Sequence, residues 1–571
     1  MADQARFDSF AVDMESGQVR KGAAHQFRLP CQLKDALALF LRNPGKVIKT
    51  EDLRQHLWTD SIVEEGAPNR VMKKLRDAFG PEGTRLFETI PKAGYVFRAH
   101  VFWSHSGERT ILVLPFRYDG SPNYGYLGDA LTRSLINSLG RMSKLAVRSD
   151  TTSMRYKDSG RSISEVAKET DSQFIIEGSV SVLDQQVSIR LQLVDSYHDK
   201  ILLSDCYEKH LDDISAIHNS ISEKTARSVG VRISKMDAER LVKSKKINPL
   251  AYRHYLEGRE HWAKASPVEL RAAIECFKKA LAVDIEFALA YAGLADAYNL
   301  EALAGSLHPK VASEHAREAA EKAIEIDDSM AECHTPMAAI LAYFDWDWLR
   351  AEEHAKRAID LNPGYETAHH VYAMTCLMPQ GRFDEALEQI QFAESRNPLS
   401  SFIATCVGIV QFHSRRYEEA IISFDRALQL SEDKHFLTYL HRGWSNQQLK
   451  RFDMALNDLK LCVELSRHAS VALGAYGNCL AQSGNADAAA EILMEIGRKS
   501  ETEYVSGFDR ALLYVGLGDT KQALLSLQTA FQDRSPSMTR LAIHPLLDPL
   551  RSTHEFNELL RGVNLAVPLR S

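Results

Sequence analysis

An alanine recurs at a nearly constant interval through the second half of this 571-residue chain. After a first interval of 43 residues the spacing is 34 or 35, and each alanine lies in a stretch with helical apolar periodicity. In most blocks a second small or apolar residue follows seven positions later, as at Ala358, Ala393 and Ala427. Because small side chains let paired helices approach closely, the pattern predicts helix pairs stacked on their neighbours as a solenoid. The recurring alanines are Ala273, Ala316, Ala351, Ala386, Ala420, Ala455, Ala489 and Ala523.

This period and these small-residue positions resemble tetratricopeptide (TPR) repeats. The resemblance implies about eight helix pairs over residues 249–535, followed by a C-terminal capping segment at 536–571. TPR pairs stack into a right-handed solenoid with a concave groove, so we expect a protein or peptide partner to bind in that groove.

Residues 1–103 read as a separate unit. FDSFAVD, GQVRKG and HQFRLP alternate as three short strands, and LKDALALFLRN, EDLRQHLW and PNRVMKKLRDAF have helical spacing. Thr50 is expected to be the N-cap of the second helix, and Gly80 should end the third. RLFETIPKAGYVFRAHVFW predicts two strands joined by a turn at 91–94.

Three linked segments of this unit resemble the OmpR/PhoB-type winged helix-turn-helix. They are NPGKVIKTEDLRQHLW, NRVMKKLRDAFG and FETIPKAGYVF, and the resemblance covers nearly all of residues 5–99. It implies a transcription regulator that places its third helix in the major groove of double-stranded DNA. The hairpin, or wing, would then approach the neighbouring backbone or the minor groove.

The third helix supplies most of the candidate DNA-binding residues. Met72, Leu75 and Phe79 are spaced three and four apart and should face the core. Arg and Lys can bind guanine edges or phosphates, and Asn can pair with adenine. By resemblance, Lys73, Lys74 and Arg76 occupy the main contact positions of the family. The residues left on or beside the outer face are Asn69, Arg70, Lys73, Lys74 and Arg76.

The wing departs from the family pattern. The family often has a basic residue directly after the tyrosine of its GY pair, where this chain has Val96. Lys92 at the turn and Arg98 on the same strand face as Val96 are the remaining candidates, so the minor-groove contact stays open. Trp58 is interpreted as a core residue.

Residues 108–235 alternate strands and helices and then continue as a meander. RTILVLPF and KLAVRS predict strands, GDALTRSLINSLGR and SISEVAKET predict helices, and QFIIEGSVSVLDQQVSIRLQLVDSYHDKILLSDCYEKHL predicts strands joined by turns. The segment resembles the small domain found at the N-terminus of TolB, to which no settled activity is attached.

The charge is distributed unevenly. Residues 1–103 carry 16 Lys and Arg against 13 Asp and Glu, whereas the whole chain carries 69 against 76. This asymmetry favours one basic functional module on an acidic carrier. The chain is therefore predicted to be multidomain and mainly α, with an N-terminal α+β winged helix, a small α/β domain and a C-terminal TPR α-solenoid.

Several function classes find no support. No secretory leader or membrane-spanning apolar stretch is present, which indicates a cytoplasmic protein without membrane contact. The sequence has no P-loop, HExxH, GxSxG or dinucleotide fingerprint, so we expect neither an enzyme nor a cofactor. Eight scattered cysteines without a CxxC pair indicate buried reduced thiols rather than zinc. Metal binding at His369-His370 is not expected, and the aromatic cluster at 343–348 is interpreted as inter-repeat packing.

Three hypotheses follow. The first is a one-component transcription regulator, because the winged helix begins within ten residues of Met1 and leaves no room for a preceding receiver domain. A protein, peptide or small ligand bound by the α/β domain or the TPR groove would control it, and a homodimer is a candidate for its active form. The second is a TPR interaction scaffold whose winged helix binds protein. The third is an enzyme with nucleotide chemistry in 108–235. Four cations within 70–76 favour the first.

Overall fold

The computed structural model describes residues 4–565 except for 8–9, 15, 22–24, 59–62, 65, 100, 105–108, 122–123, 184–185, 211–213, 241–247, 265 and 431–434. Its N-terminal unit comprises β1 (Gln4–Phe7), β2 (Phe10–Asp13), β3 (Gln18–Lys21), β4 (His25–Arg28), α1 (Cys31–Leu41), β5 (Val47–Ile48), α2 (Thr50–Leu57), α3 (Ala67–Ala78), α4 (Gly83–Leu86), β6 (Phe87–Ile90), β7 (Gly94–Phe97) and β8 (Phe102–Ser104).

These strands form two antiparallel sheets, ordered β4-β3-β2-β1-β8 and β5-β7-β6. The predicted final hairpin is therefore divided, because β7 pairs with β6 whereas β8 crosses back to β1. Burial of Ala99 and Val101 between β7 and β8 accompanies this crossing. Thr50 is not the N-cap: Lys49 has the extended cap conformation without a side-chain cap hydrogen bond, and Thr50 is the first helical residue.

Phenylalanine rings form much of the core of this unit. Phe7 meets Phe97 edge-on at 5.1 Å, and Phe10 meets Phe79 at 4.9 Å between ring centroids. Edge-to-face packing of this kind adds to the stabilisation from apolar burial. Trp58 is partly buried and packs against this core.

The second unit comprises β9 (Arg109–Val113), β10 (Arg117–Tyr118), α5 (Leu127–Gly140), β11 (Leu145–Val147), α6 (Asp150–Met154), α7 (Ile163–Thr170), β12 (Phe174–Leu183), β13 (Gln186–Asp195), β14 (Lys200–His210), α8 (Ile214–Ser228) and α9 (Lys235–Arg240). Its sheet has the order β11-β9-β12-β13-β14, with β10 beside β12.

The strands and helices expected in 108–235 are present, and four further elements accompany them. The sequence pattern did not predict β10, α6, α8 or α9. The backbone N–H of Ser143 donates to Asp237 at 3.2 Å, so α9 packs on this unit beyond residue 235. One of the turns expected between these strands, at 183–185, lies partly outside the described residues.

Sixteen helices then form eight consecutive pairs. They are α10 (Pro249–Ala263), α11 (Pro267–Val283), α12 (Ala288–Leu303), α13 (Pro309–Ile326), α14 (Ala331–Ile340), α15 (Trp348–Leu361), α16 (Glu366–Val371), α17 (Phe383–Arg396), α18 (Ser401–His413), α19 (Tyr417–Leu430), α20 (Phe436–Gln448), α21 (Phe452–Leu465), α22 (Ser470–Gln482), α23 (Ala486–Lys499), α24 (Gly507–Gly516) and α25 (Thr520–Gln532).

The predicted repeat array is confirmed. All eight recurring alanines lie in the second helix of a pair and are fully buried. Close approach is visible between α18 and α19, where a Cβ on Gly408 would lie 2.4 Å from the Phe424 ring. Helices α14 and α16 each continue as a short π-helical segment, at Leu341–Asp345 and Tyr372–Leu377.

The chain after the eighth pair does more than cap the last repeat. It forms 3-10 turns at Pro536–Arg540 and Pro545–Leu550 and then α26 (His554–Gly562). We call the surface formed by the first helices of the pairs the inner surface. His544 is completely buried there, and its ring meets those of Phe412 and Trp444. Part of the expected partner groove is therefore occupied by the chain itself.

The aromatic cluster at 343–348 is buried, but not by the neighbouring repeat alone. Trp346 is 1% exposed and stacks on Phe531 of the eighth pair at 4.9 Å. The Arg534 guanidinium lies 4.3 Å from the Trp346 ring centroid. The array thus brings its third and eighth pairs together.

Both N-terminal units contact the array. The Thr152 hydroxyl donates to Asn397 Oδ1 at 2.8 Å, and the Gly364 N–H donates to the Gly140 carbonyl at 3.0 Å. A Cβ on Gly45 would lie 2.3 Å from Ile422 of α19, so the turn after α1 touches the fifth pair.

The eight cysteines were expected to be buried thiols. Six cysteines are buried, but Cys31 and Cys206 are exposed, so the prediction of buried thiols is wrong for these two.

Within the described part of the chain, no helix has both the length and the apolar composition needed to cross a bilayer.

Candidate nucleic-acid interface

Helix α3 separates apolar from basic residues. Met72, Leu75 and Phe79 are buried to 2% exposure or less, which confirms the predicted core face. Lys73 and Lys74 lie on the other side and are exposed. Neither lysine has an ion-pair partner among the described residues, so both ammonium groups are available to an external anion.

Arg76 is held differently from the two lysines. Its Nε donates to the Phe87 carbonyl at 2.8 Å, and its Nη2 donates to Thr89 Oγ1 at 2.7 Å. The guanidinium also lies 5.6 Å from the Tyr95 ring centroid. In this arrangement Arg76 joins α3 to the wing, so we assign it a positioning role.

A second bond joins the same two elements. The Tyr95 hydroxyl donates to Asn69 Oδ1 at 2.5 Å. Burial raises the pKa of Tyr95, although the nearby Arg76 charge opposes that shift. The phenol therefore remains protonated at neutral pH and keeps one acceptor of Asn69 occupied.

Two other candidate cations form surface ion pairs. Arg70 pairs with Glu64, and Arg98 pairs with Glu88, each at 2.7 Å. Exposed pairs of this kind typically contribute only about 0–1 kcal/mol. A DNA phosphate can therefore replace either carboxylate at little cost.

The wing turn exposes Lys92, which has a positive φ of 64°. Gly94 follows with φ of 142°, and a Cβ there would lie 2.1 Å from the Ile48 carbonyl oxygen. Val96 is 1% exposed and lies between Val47 and Glu88 in the sheet. A basic residue at position 96 would have to enter this buried register.

Lys49 is a further candidate, which was not predicted from the sequence. It is exposed, and its Cα lies 2.9 Å from the position of a Cβ on Gly94. It therefore stands at the base of the wing, directly before α2. The run KVIKT offered a signal, because it places a lysine immediately before the second helix.

Metal binding gains no geometric support. The two ring nitrogens of His369 lie 2.7 Å from Gln389 Oε1 and 3.0 Å from the Pro363 carbonyl. The described residues contain no group of three or more histidines, cysteines and carboxylates arranged to hold a metal ion.

Four segments of the chain match known protein families. Residues 26–97 match "Transcriptional regulatory protein, C terminal", and residues 107–224 match "HilA/YgeH-like transcriptional regulator, second domain". Residues 377–435 and 437–468 match tetratricopeptide repeats. The chain therefore combines a winged-helix domain of transcriptional regulatory proteins, a domain similar to the second domain of HilA/YgeH-like regulators, and TPR repeats. The predicted OmpR/PhoB-type winged helix and TPR repeats are thereby confirmed.

Individual relatives cover different shares of this chain. Putative adenylate cyclase 3 of Rhizobium meliloti is 27% identical over 186 residues, which is 32% of this chain and 32% of that protein. Transcriptional regulator HilA of Salmonella typhi is 22% identical over 443 residues, which is 75% of each chain. The DNA-binding domain of E. coli CadC shares 24% identity, with 18% of this chain and 96% of that domain covered and a TM-score of 0.17.

Proposed function

We propose that the chain regulates transcription by binding double-stranded DNA through α3 and the wing. The observation that carries the proposal is the pair Lys73 and Lys74, exposed opposite the buried face of α3 and unpaired within the described chain. A helix with one buried and one cationic face can enter the major groove without disturbing its own core. The protein then acts by binding rather than by catalysis, in the bacterial cytoplasm where the DNA lies.

The residues around α3 and the wing have different roles in the proposed interface. Lys73 and Lys74 are placed for base edges or nearby phosphates, and Arg70 can exchange Glu64 for a phosphate. Lys92 and Lys49 add positive charge at the tip and base of the wing. Arg76 and Asn69 fix the angle between α3 and the wing through their bonds to the hairpin.

The deciding experiment compares Lys73→Ala, Lys74→Ala and the double variant of the full chain. DNA enriched by binding to the protein serves as the probe, at several salt concentrations. We expect each substitution to cost about 1–3 kcal/mol where the lysine contacts a base. If the lysine contacts only a phosphate, its loss should instead reduce the slope of log affinity against log salt concentration by about one.

Lys168→Ala is the matched control, because it removes the same charge from an exposed position of α7. We expect this variant to bind DNA like the unaltered protein. Unchanged affinity of the double variant, or affinity that does not vary with salt, would exclude α3 as the DNA-reading element.

We further propose that the TPR array contacts a protein partner. Residues 536–550 cover the inner surface around Phe412 and Trp444, so a partner binding there must displace them. Arg415 anchors this segment through two hydrogen bonds to Asp548, at 2.7 and 2.8 Å. The segment therefore regulates access to the groove.

We also propose that two copies act together on DNA. A single winged helix buries roughly 600–1,000 Å² of protein surface, which favours paired half-sites for useful occupancy. Sedimentation of the full chain over a range of concentrations tests this, alongside affinity for one and for two half-sites. A monomer at every concentration, with equal affinity for both probes, would remove the homodimer.

A further inference from the structure

The topology of the α/β unit singles out one end of β9. Ile111 and Val113 pack with α5 residues, whereas Leu112 packs with Val166 of α7. Successive residues of a strand face opposite sides, so α5 and α7 cover opposite faces of the sheet. Strands β11 and β12 lie on either side of β9, and both run parallel to it.

The chain thus changes direction at β9. In open α/β sheets, such a point forms a crevice outside the carboxyl ends of the strands, where ligands bind. A cleft of about 1110 Å³ is present at this place. Residues 114–119 form one wall, residues 156–161 form another, and the outer face of β12, β13 and β14 forms the floor.

A row of polar residues crosses the cleft floor. Arg117 of β10 lies opposite Ser179, Ser179 lies opposite Arg190, and Arg190 lies opposite Cys206. Adjacent strands are about 4.8 Å apart, so the two arginine backbones are separated by roughly 10 Å. Both side chains are long enough to reach one anion above Ser179. Both are exposed, and neither has an ion-pair partner in the described structure.

Carboxylates and hydroxyls complete the lining. Asp129 and Asp205 also line the cleft, but Lys157 and Lys224 pair with them at 2.7 and 2.6 Å. Glu177 is half-buried in the strand position two residues before Ser179 and can accept hydrogen bonds.

Tyr156 also lines this cleft and is 7% exposed. Its buried hydroxyl makes no hydrogen bond of normal geometry with the described residues, although the Glu169 carboxylate lies nearby. Because the hydroxyl oxygen is itself buried, Tyr156 closes the wall of the cleft with its ring and does not offer its hydroxyl to a ligand.

We propose that this cleft binds a small organic anion that also carries hydroxyl or amino donors. Arg117 and Arg190 bind its phosphate or carboxylate, because a guanidinium matches either group through paired N–H donors. Glu177 accepts a hydrogen bond from a ligand donor. The site lies in the α/β unit and is independent of the DNA interface.

Isothermal titration calorimetry of the full chain tests this site with three probes. They are a hexose monophosphate, gluconate and uncharged glucose. We expect saturable binding of at least one anion and none of glucose, and the responding anion identifies phosphate or carboxylate as the preferred group. Arg190→Gln and Arg117→Gln should each weaken binding on the order of ten- to a hundred-fold, the effect of losing a charge-assisted hydrogen bond.

Arg232→Gln is the matched control, since Arg232 is an exposed arginine of the same unit outside the cleft. It should bind the anion like the unaltered protein. Thermal unfolding of each variant verifies folding, which an exposed Arg to Gln change should preserve. Absence of saturable binding by both anions, or equal weakening by Arg232→Gln and Arg190→Gln, would overturn the proposal.

Discussion

Trp348 Nε1 donates a hydrogen bond to the Val563 carbonyl oxygen at 3.0 Å, although 215 residues separate them in sequence. A second bond beside it runs from Asn564 Nδ2 to the Trp346 carbonyl at 3.2 Å. The residues directly after α26 thus bind the third helix pair, which also stacks on the eighth pair through Trp346 and Phe531. A solenoid whose repeats touch only their neighbours lacks such a link, so this array should unfold more cooperatively than a linear one.

Trp348→Phe tests this link by removing the donor while keeping an aromatic side chain. We expect the free energy of unfolding to fall by about 1–3 kcal/mol, because the buried Val563 carbonyl loses its partner. Urea unfolding of the full chain measures the change. Leu349→Ala is the control, since Leu349 is 71% exposed and should have little effect. Equal loss in both variants would contradict a specific role for the link.

Ala455→Phe tests the close approach of paired helices. Ala455 is fully buried in α21, so a larger ring must push α20 or α22 away, at a cost of roughly 1–3 kcal/mol or more. Met454→Phe places the same ring at a neighbouring position that is 56% exposed, and it should be tolerated. Hydrogen exchange then reports where the damage spreads. Protection of α1 should persist in both variants, because its core is separate.

The sequence predicted the array well because its constraint is local and repeated. Each recurring alanine lies at a contact with a neighbouring helix in sequence, and the same pattern occurs eight times along the chain. The path of residues 536–565 has no comparable signal. Its contacts, such as Arg415 with Asp548, join residues 133 apart, and no periodicity records them.

The candidate interface was predicted in part for the same reason. The spacing of Met72, Leu75 and Phe79 gave the buried face of α3 and hence its outer residues. Spacing could not show that Arg76 turns toward Phe87 and Thr89, because that contact depends on the hairpin folding back. Lys49 was missed because its place beside Gly94 arises only when β5 pairs with β7.

Arg76→Lys separates positioning from DNA contact. A lysine keeps the charge but cannot reproduce the two directed bonds to the Phe87 carbonyl and Thr89. We expect a loss of about 1–2 kcal/mol in the stability of the winged helix. Lys74→Ala should change that stability by less than about 0.5 kcal/mol, as expected for an exposed side chain. Protection of β6 and β7 in hydrogen exchange measures both, and equal protection in the two variants would contradict the positioning role.

Three buried histidines make the C-terminal segment sensitive to acid. Burial lowers the pKa of His413 and His544 well below the usual value, and it lowers that of His441 to about 3. The Arg540 charge lowers all three pKa values further. Each imidazole is therefore neutral in the folded chain when it would already be protonated in the unfolded chain.

The pH dependence follows from this difference in proton binding. Above the unfolded pKa of about 6.5 neither state binds the proton, and the full stability is present. As the pH falls below that value, the unfolded state gains protons, and stability falls by up to about 1.4 kcal/mol per pH unit for each histidine. The loss continues down to the folded pKa, which for His441 is about 3. Urea unfolding between about pH 7.5 and pH 5 measures the slope.

His413→Phe identifies the contribution of one ring, because His413 is 1% exposed and its ring packs against those of Phe412 and His544. The slope of stability against pH measures how many more protons the unfolded state binds. This number should decrease by about one relative to the unaltered chain. His198→Gln is the control, since that side chain is 73% exposed between β13 and β14. If His413→Phe keeps the original slope, protonation of this cluster does not destabilise the segment. A slope reduced only in His413→Phe would place this acid sensitivity at the inner surface, where the ring of His413 meets that of His544.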